Sequence, residues 1–233
     1  MSTPGARERM LGRLRAAAPA PSPGTAELDR RIDGHFEARR HGTPAVGELT
    51  GAMQAALQGL HAEVWCASEA AWPALLATEL ANAGVKRLLL DPASQAGAAL
   101  AAALPAHIEA IGYDRPIEAW KAELFDSVDA GFTVARSGIA ATGTLVVAPD
   151  AGSPRTVSLV PPLHVALVRA STLHADLHMA ARTERWSDGM PTNLVLISGP
   201  SKTSDIQQTL AYGAHGPRRL WVIIETDTAE AGQ

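Results

Sequence analysis

The chain has 233 residues, of which 46% are hydrophobic and 19% charged, and its formal net charge is −4. That length holds one large α/β domain or two small ones, and the balance is that of a globular chain and not a disordered one. Without a lysine block or an RNA-type aromatic motif, the weakly negative charge sets nucleic acid aside. The single cysteine, Cys66, permits neither an internal disulfide nor the thiolate set of an iron–sulfur cluster. No apolar run approaches the roughly 20 residues that cross a bilayer. Met1–Arg15 lacks the apolar core of a secretion signal, so a cytoplasmic protein with no membrane span is expected.

Glu8–Ala18 spaces Met10, Leu11 and Leu14 for an amphipathic helix that packs on the domain or on a second subunit, which leaves a homo-oligomer open. Pro19, Pro21 and Pro23 with Gly24 make an extended linker. A second helix spans Leu28–Arg40, its charges forming a solvated face. Residues 1–45 therefore read as a helical extension with a proline-rich linker, and 46–233 as the α/β domain. In the domain, Leu49–Leu60 reads as a helix and Glu63–Ala67 as a strand, with Cys66 a small buried apolar residue. A helix runs from Ser68 to Asn82, a strand over Val85–Leu90, and an Asp91-Pro92-capped helix to Leu104. His107–Ile111 is a weak strand and Pro116–Phe125 a helix with Trp120 and Leu124 one turn apart. This alternation predicts a mainly parallel sheet covered on both faces.

From Val128 the texture changes. Strands at Ala130–Ala135 and Thr144–Ala148 flank the glycine-rich Arg136–Gly143. A strand at Val165–Arg169 precedes a helix over Ser171–Arg182. Short strands joined by short turns predict that part of this half is antiparallel. The strand Leu194–Ile197 ends at Ser198-Gly199-Pro200. A helix follows, with Ser204 and Gln207 as a capping box, Ile206 and Leu210 as its stripe, and Gly213 as its stop. The strand Leu220–Ile224 closes the unit.

Several positions carry chemistry. Ser198, Ser201, Lys202 and Thr203 surround a turn at a strand's carboxyl end, where open α/β sheets bind ligands. A helix start there attracts anions, whereas Asp205 repels them. The competing reading is a well-capped helix after a tight turn. Thr142-Gly143-Thr144 lets backbone approach a ligand, or is a tight bend before a core strand. Arg155, in a Gly/Pro loop, is a solvated side chain or a planar fork for a carboxylate. His164 and His215 are structural histidines or acid/base groups. His174 and His178 stand one turn apart on the expected helix, but without a third ligand they read as ordinary histidines, and no metal site is assigned. Neither a P-loop nor a dinucleotide-binding glycine motif occurs.

Ser137–Val147, Arg155 with Ser158–Val165, Ser198–Ile206 and Gly213–Pro217, in that order, resemble the signature of the LUD-domain family, which includes lactate utilisation protein C and YkgG-like proteins. The resemblance implies a three-layer αβα sandwich on a mixed, mostly parallel sheet, like that of the CoA-transferase and sugar-phosphate isomerase proteins. It also implies an accessory component of L-lactate oxidation to pyruvate, with iron–sulfur clusters carried by partner proteins and no cofactor in this chain. The ligand would be a small carboxylate held by Thr142, Gly143, Thr144, Arg155, Ser198, Gly199, Ser201, Lys202 and Thr203. Many members carry Glu where this chain has Ala141, so a role for that carboxylate does not carry over. Two other readings remain: a free-standing isomerase or transferase acting on a phosphorylated or CoA-linked molecule, and a non-catalytic binding module.

Overall fold

The computed structural model describes residues 5–17, 24–40, 42–204 and 210–227. The chain divides into two units, Met1–Thr43 and Pro44–Gln233. The first contains helices α1 (Ala6–Ala16) and α2 (Thr25–Glu37), neither with a buried residue. Most of the proline linker lies outside the described residues.

The second unit begins with α3 (Val46–Gly59), followed by β1 (Glu63–Ser68), α4 (Trp72–Asn82), β2 (Arg87–Leu89) and α5 (Gln95–Ala103). Next come β3 (Glu109–Ile111), α6 (Ile117–Asp126), β4 (Ala130–Val134), β5 (Ser137–Ile139) and β6 (Thr144–Val147). The chain continues through α7 (Thr156–Leu159), β7 (Leu163–Arg169), β8 (Leu173–His174) and α8 (Leu177–Thr183). It ends with β9 (Val195–Ile197), β10 (Lys202–Ser204), β11 (Leu210–Tyr212) and β12 (Arg219–Thr226).

Six strands form one sheet in the order β1-β12-β7-β4-β2-β3, and every pairing in it is parallel. The fold is thus α/β on a parallel central sheet. The antiparallel pairings of the second half gather in separate sheets, β8-β5-β6-β9 and the hairpin β10-β11.

The apolar runs of β7 and β12 follow from burial on both faces. Val165, Leu167, Trp221 and Ile223 point to one face and pack with Trp72, Leu76 and Leu80 of α4 and Leu100 of α5. Ala166, Val168, Leu220, Val222 and Ile224 point to the other. There they meet Met53 and Leu57 of α3 and Leu145 and Val147 of β6. Each large aliphatic side chain buried this way contributes about 1.5–3 kcal/mol. The layers are helices, parallel sheet, then α3 with the small four-stranded sheet.

Four sequence expectations change. Of the helix expected over 204–212, residues 205–209 lie outside the described residues, and on either side of them Lys202 pairs with Tyr212 and Thr203 with Ala211 as antiparallel strands. The hairpin is held at its base, where Gly213 N–H donates to Ser201 O (3.0 Å) and Ser201 N–H to Pro217 O (2.9 Å). Tyr212 also sets its ring edge-on to His61. Asp205, Ile206 and Gln207, on which the cap and stripe rested, lie outside the described residues. Cys66 is exposed, because β1 is the edge strand, and its sulfur sits 3.7 Å from Gln54 Oε1. His174 belongs to β8 and not to the helix of His178, since α8 starts at Leu177 behind the cap of Asp176, whose carboxylate accepts from Met179 N–H (2.7 Å). The helix after β2 is capped by Ser94, which accepts from Gly97 N–H at 3.0 Å, and not by Asp91.

Candidate functional site

A cavity of about 230 Å³ opens between the parallel sheet and β9. Four segments line it: Ser158 and Leu159 of α7, His164 of β7, Val195–Ser201 with β9, and His215–Pro217 with Leu220 leading into β12. His164 and Leu220 stand at the beginnings of their strands. The cavity therefore sits at the amino ends of the parallel strands, not at the carboxyl ends that generic α/β architecture suggests. The turn at Ser198 does follow the carboxyl end of a strand, but that strand is β9 of the small sheet. A wider groove of about 650 Å³ runs along α6, yet its walls come from one helix and bring no distant polar groups together.

His164 is a buried polar group of the lining, only 1% exposed. Its Nε2 lies 2.8 Å from Thr133 Oγ1, across from β4. Burial disfavours the imidazolium and lowers the pKa of His164 to about 3, so the ring is neutral at physiological pH. Ser158, also 1% exposed, donates its hydroxyl to Arg155 O at 3.1 Å. His215 is exposed and Ser201 half-buried, and both belong to the mouth. Leu159 and Leu196 are exposed at the rim.

The other wall continues into the Thr142–Thr144 turn. Thr142 Oγ1 and Thr144 Oγ1 are 2.7 Å apart, as are Thr144 Oγ1 and Ser198 Oγ. A chain of three hydroxyls thus runs from exposed Thr142, through buried Thr144, to Ser198 in the cavity wall. Gly143 makes the turn possible. Its φ is +57°, and a Cβ there would stand 2.8 Å from Leu57 N on α3. Gly199 is constrained likewise, with φ +85° and Leu60 O at 2.9 Å from the position of a Cβ. Both are places where only glycine combines the left-handed backbone with the close approach.

Of the residues singled out in the sequence, Ser198, Gly199, Ser201, His164 and His215 line the cavity, and Thr142 and Thr144 reach it through hydrogen bonds. Gly143 shapes the turn between them. Arg155 is exposed at the start of α7 and is not in the lining; its carbonyl, not its guanidinium, is the group that bonds Ser158. Lys202 is exposed on β10 and Thr203 half-buried beside it, and neither lines the cavity. The lining contains no Lys, Arg, Asp or Glu. Sequence reasoning missed Thr133. The signal was a hydroxyl inside the apolar run Gly131–Val134, where a buried polar group requires a partner.

A second polar cluster flanks β5. Glu184, 9% exposed, receives Arg136 Nε at 2.7 Å and Trp186 Nε1 at 3.0 Å, with His174 Nε2 3.5 Å away. Arg136 and Trp186 both reach Oε2, whereas the buried Oε1 has no hydrogen-bond partner among the described residues. Among the described residues, no group of three His, Cys, Asp or Glu side chains is placed to hold a metal ion.

The LUD-domain model matches residues 52–224, which contain the cavity and the hydroxyl chain. The chain belongs to the LUD-domain family. It is 39% identical over 220 residues to an uncharacterised protein of Neisseria meningitidis serogroup B, covering 94% of this chain and 92% of the relative. It is 35% identical over 108 residues to lactate utilisation protein C of Shouchella clausii, and 34% over 112 residues to that of Halalkalibacterium halodurans. Those two alignments cover 45% of this chain and 47% of each relative, so the chain spans about half the length of the lactate utilisation proteins it matches. A crystal structure of a DUF162 family protein from Deinococcus radiodurans superposes with a TM-score of 0.59 at 24% identity, covering 78% of this chain and 99% of that one. This last likeness concerns the fold alone.

Proposed function

We propose that this protein is an accessory component of an L-lactate utilisation system, and that its cavity takes a small 2-hydroxy or 2-oxo acid. The observation that carries the reading is the convergence of His164, Ser158, Ser198, Ser201 and His215, from four separate segments, on one small cavity within the family-matched region. Its relatives named lactate utilisation protein C supply the metabolic setting. In this reading electron transfer belongs to cytoplasmic iron–sulfur partner proteins, and this chain supplies ligand handling or assembly. Its single thiol, alone on an exposed edge strand, suits that division.

The lining orients such a ligand. A carboxylate at the deep end would meet no cationic side chain, and an unpaired buried charge is costly. The acid group therefore stays at the mouth beside His215 and Ser201, and the second carbon's oxygen points inward. Thermal-shift screening with L-lactate, pyruvate, sugar phosphates and CoA tests the reading. A ligand at about 100 times its Kd adds about 2.7 kcal/mol of stability. A shift with pyruvate or L-lactate, together with recovery of iron–sulfur proteins by affinity capture of the full chain, is the expected outcome. A shift with only sugar phosphates or CoA would replace the accessory role with that of an isomerase or transferase. Recovery of iron–sulfur proteins with no shift from any of the four would leave a binding module.

A further inference from the structure

The Thr133–His164 pair determines how the deep end of the cavity can recognise a ligand. Thr133 is 3% exposed and its hydroxyl must donate somewhere, because an unmade hydrogen bond in the interior costs about 1–3 kcal/mol. The one partner its oxygen has among the described residues is His164 Nε2, at 2.8 Å. A hydroxyl hydrogen directed at Nε2 makes that nitrogen the acceptor. With Thr133 as the donor, a neutral imidazole, which carries one N–H, holds its proton on Nδ1. Nδ1 has no protein partner among the described residues, while the ring forms part of the cavity wall.

From this geometry we infer that His164 Nδ1–H is a fixed, uncharged hydrogen-bond donor for the oxo oxygen of a 2-oxo acid, and that Thr133 is the positioning residue that sets its tautomer. The inference rests on the small-acid reading of the cavity. It names the group that reads the ligand and states a preference within that class. A carbonyl oxygen presents two in-plane lone pairs and needs only donors. A hydroxyl in the same place also has a hydrogen to dispose of, and the ring offers it nothing. The hydroxyl chain supplies the second contact. Ser198 can donate into the cavity when Thr144 donates to it, and can accept when the chain runs outward to exposed Thr142. Ser198 therefore meets either oxidation level, but a hydroxyl is satisfied beside the Nδ1–H donor only when all three hydroxyls reverse, and the preference for an oxo oxygen rests on that cost.

The test begins on the ligand-free full chain. Nitrogen-15 NMR of ring-labelled histidine reports the tautomer, and the His164 signal is the one missing from His164→Gln. The expected result is a neutral Nδ1–H ring from pH 5 to 8, with its resonance moved by saturating pyruvate. By calorimetry, pyruvate should bind about tenfold more tightly than L-lactate, the worth of one hydrogen bond. His164→Leu should lose about tenfold in pyruvate affinity, whereas His164→Asn, which can place an amide N–H near the Nδ1 position, should lose less. Thr133→Val should leave the chain folded, mix the two tautomers and narrow the pyruvate-to-lactate ratio. An Nε2–H ring in the wild type would overturn the inference while leaving the accessory role standing. So would equal affinities for the two acids, or pyruvate binding that neither moves the His164 signal nor responds to His164→Leu. If neither acid binds, the inference and the small-acid reading fall together, and capture of iron–sulfur partners then decides the accessory role alone.

Discussion

At the amino ends of β7 and β12 the molecule gathers an imidazole, several hydroxyls and apolar side chains around a cavity of about 230 Å³. At the carboxyl ends of β2 and β4 a recess of about 80 Å³ is bordered by Asp91, Asp150, Ser94, Ser153 and Thr133. The recess stands where open α/β sheets usually place ligands; several of its polar groups serve the fold, while the buried Ser153 Oγ has no hydrogen-bond partner among the described residues. Asp91 Oδ1 accepts from Ala93 N–H at 3.0 Å, Ser94 Oγ from Gly97 N–H at 3.0 Å, and Asp150 Oδ1 from Ser153 N–H at 2.7 Å. Two carboxylates also make the recess adverse to an anion. The cavity at the opposite end keeps polar groups turned inward and carries no negative side chain. Thr133 borders the recess, and its hydroxyl meets His164, which lines the cavity on the amino-end side. Position relative to the sheet is therefore a weaker guide to the site than the charge of the groups that border each space.

That contrast can be broken in four ways. The largest effect is expected from Gly143→Val, which forces a β-branched residue to φ +57° and drives its Cβ toward Leu57 N of α3. A loss of more than about 3 kcal/mol in urea unfolding is expected, from left-handed strain and overpacking together. A near-neutral variant would show that the turn is not pressed on α3.

The next effect is on pH dependence. The folded pKa of His164 is lowered to about 3, so between about 6.5 and 3 the unfolded chain binds a proton that the folded chain does not. Stability from this group is complete above pH 6.5 and falls by about 1.4 kcal/mol per unit as the pH drops toward 3. His164→Gln should flatten that part of the wild-type stability curve, and parallel curves would contradict the burial of a neutral ring.

Ser198→Ala removes the cavity end of the hydroxyl chain, and about 1 kcal/mol of stability should go with it. It should also weaken pyruvate binding, while Asp150→Asn at the opposite recess leaves that binding unchanged. Equal effects of the two on binding would erase the distinction between the ends. The smallest stability change is expected from Arg155→Ala, within about 0.5 kcal/mol, because the side chain is exposed. Its ligand affinity is the informative measurement: an unchanged pyruvate Kd removes Arg155 from recognition.

The parallel sheet was legible in the chain, since β7 and β12 are continuous apolar runs and that pattern arises only when both faces are covered. Glycine at 143 and 199 was legible as a turn, as was the gathering of Ser198, Gly199 and Ser201 near a strand end. The hairpin of β10 and β11 was not. The local pattern over 204–210 suits a helix, and nothing in it signals the pairing of Lys202 with Tyr212 or the backbone bonds of Ser201 with Gly213 and Pro217. Cys66 was misjudged because an apolar strand looks the same at the edge of a sheet as at its centre.

Local patterning alone thus determined which segments become strands and helices in most of the domain, because burial periodicity and chain stops act over a few residues. It also determined that His164, Ser198 and His215 deserve chemical scrutiny. The tertiary structure decided that these three share one cavity, that Arg155 and Lys202 lie outside its lining, and that Thr133 holds the histidine. Those facts depend on strands 31 residues apart in sequence, Thr133 and His164, being adjacent in the sheet. No short-range signal carries strand order, so only the folded chain could say which face of which strand supplies the site.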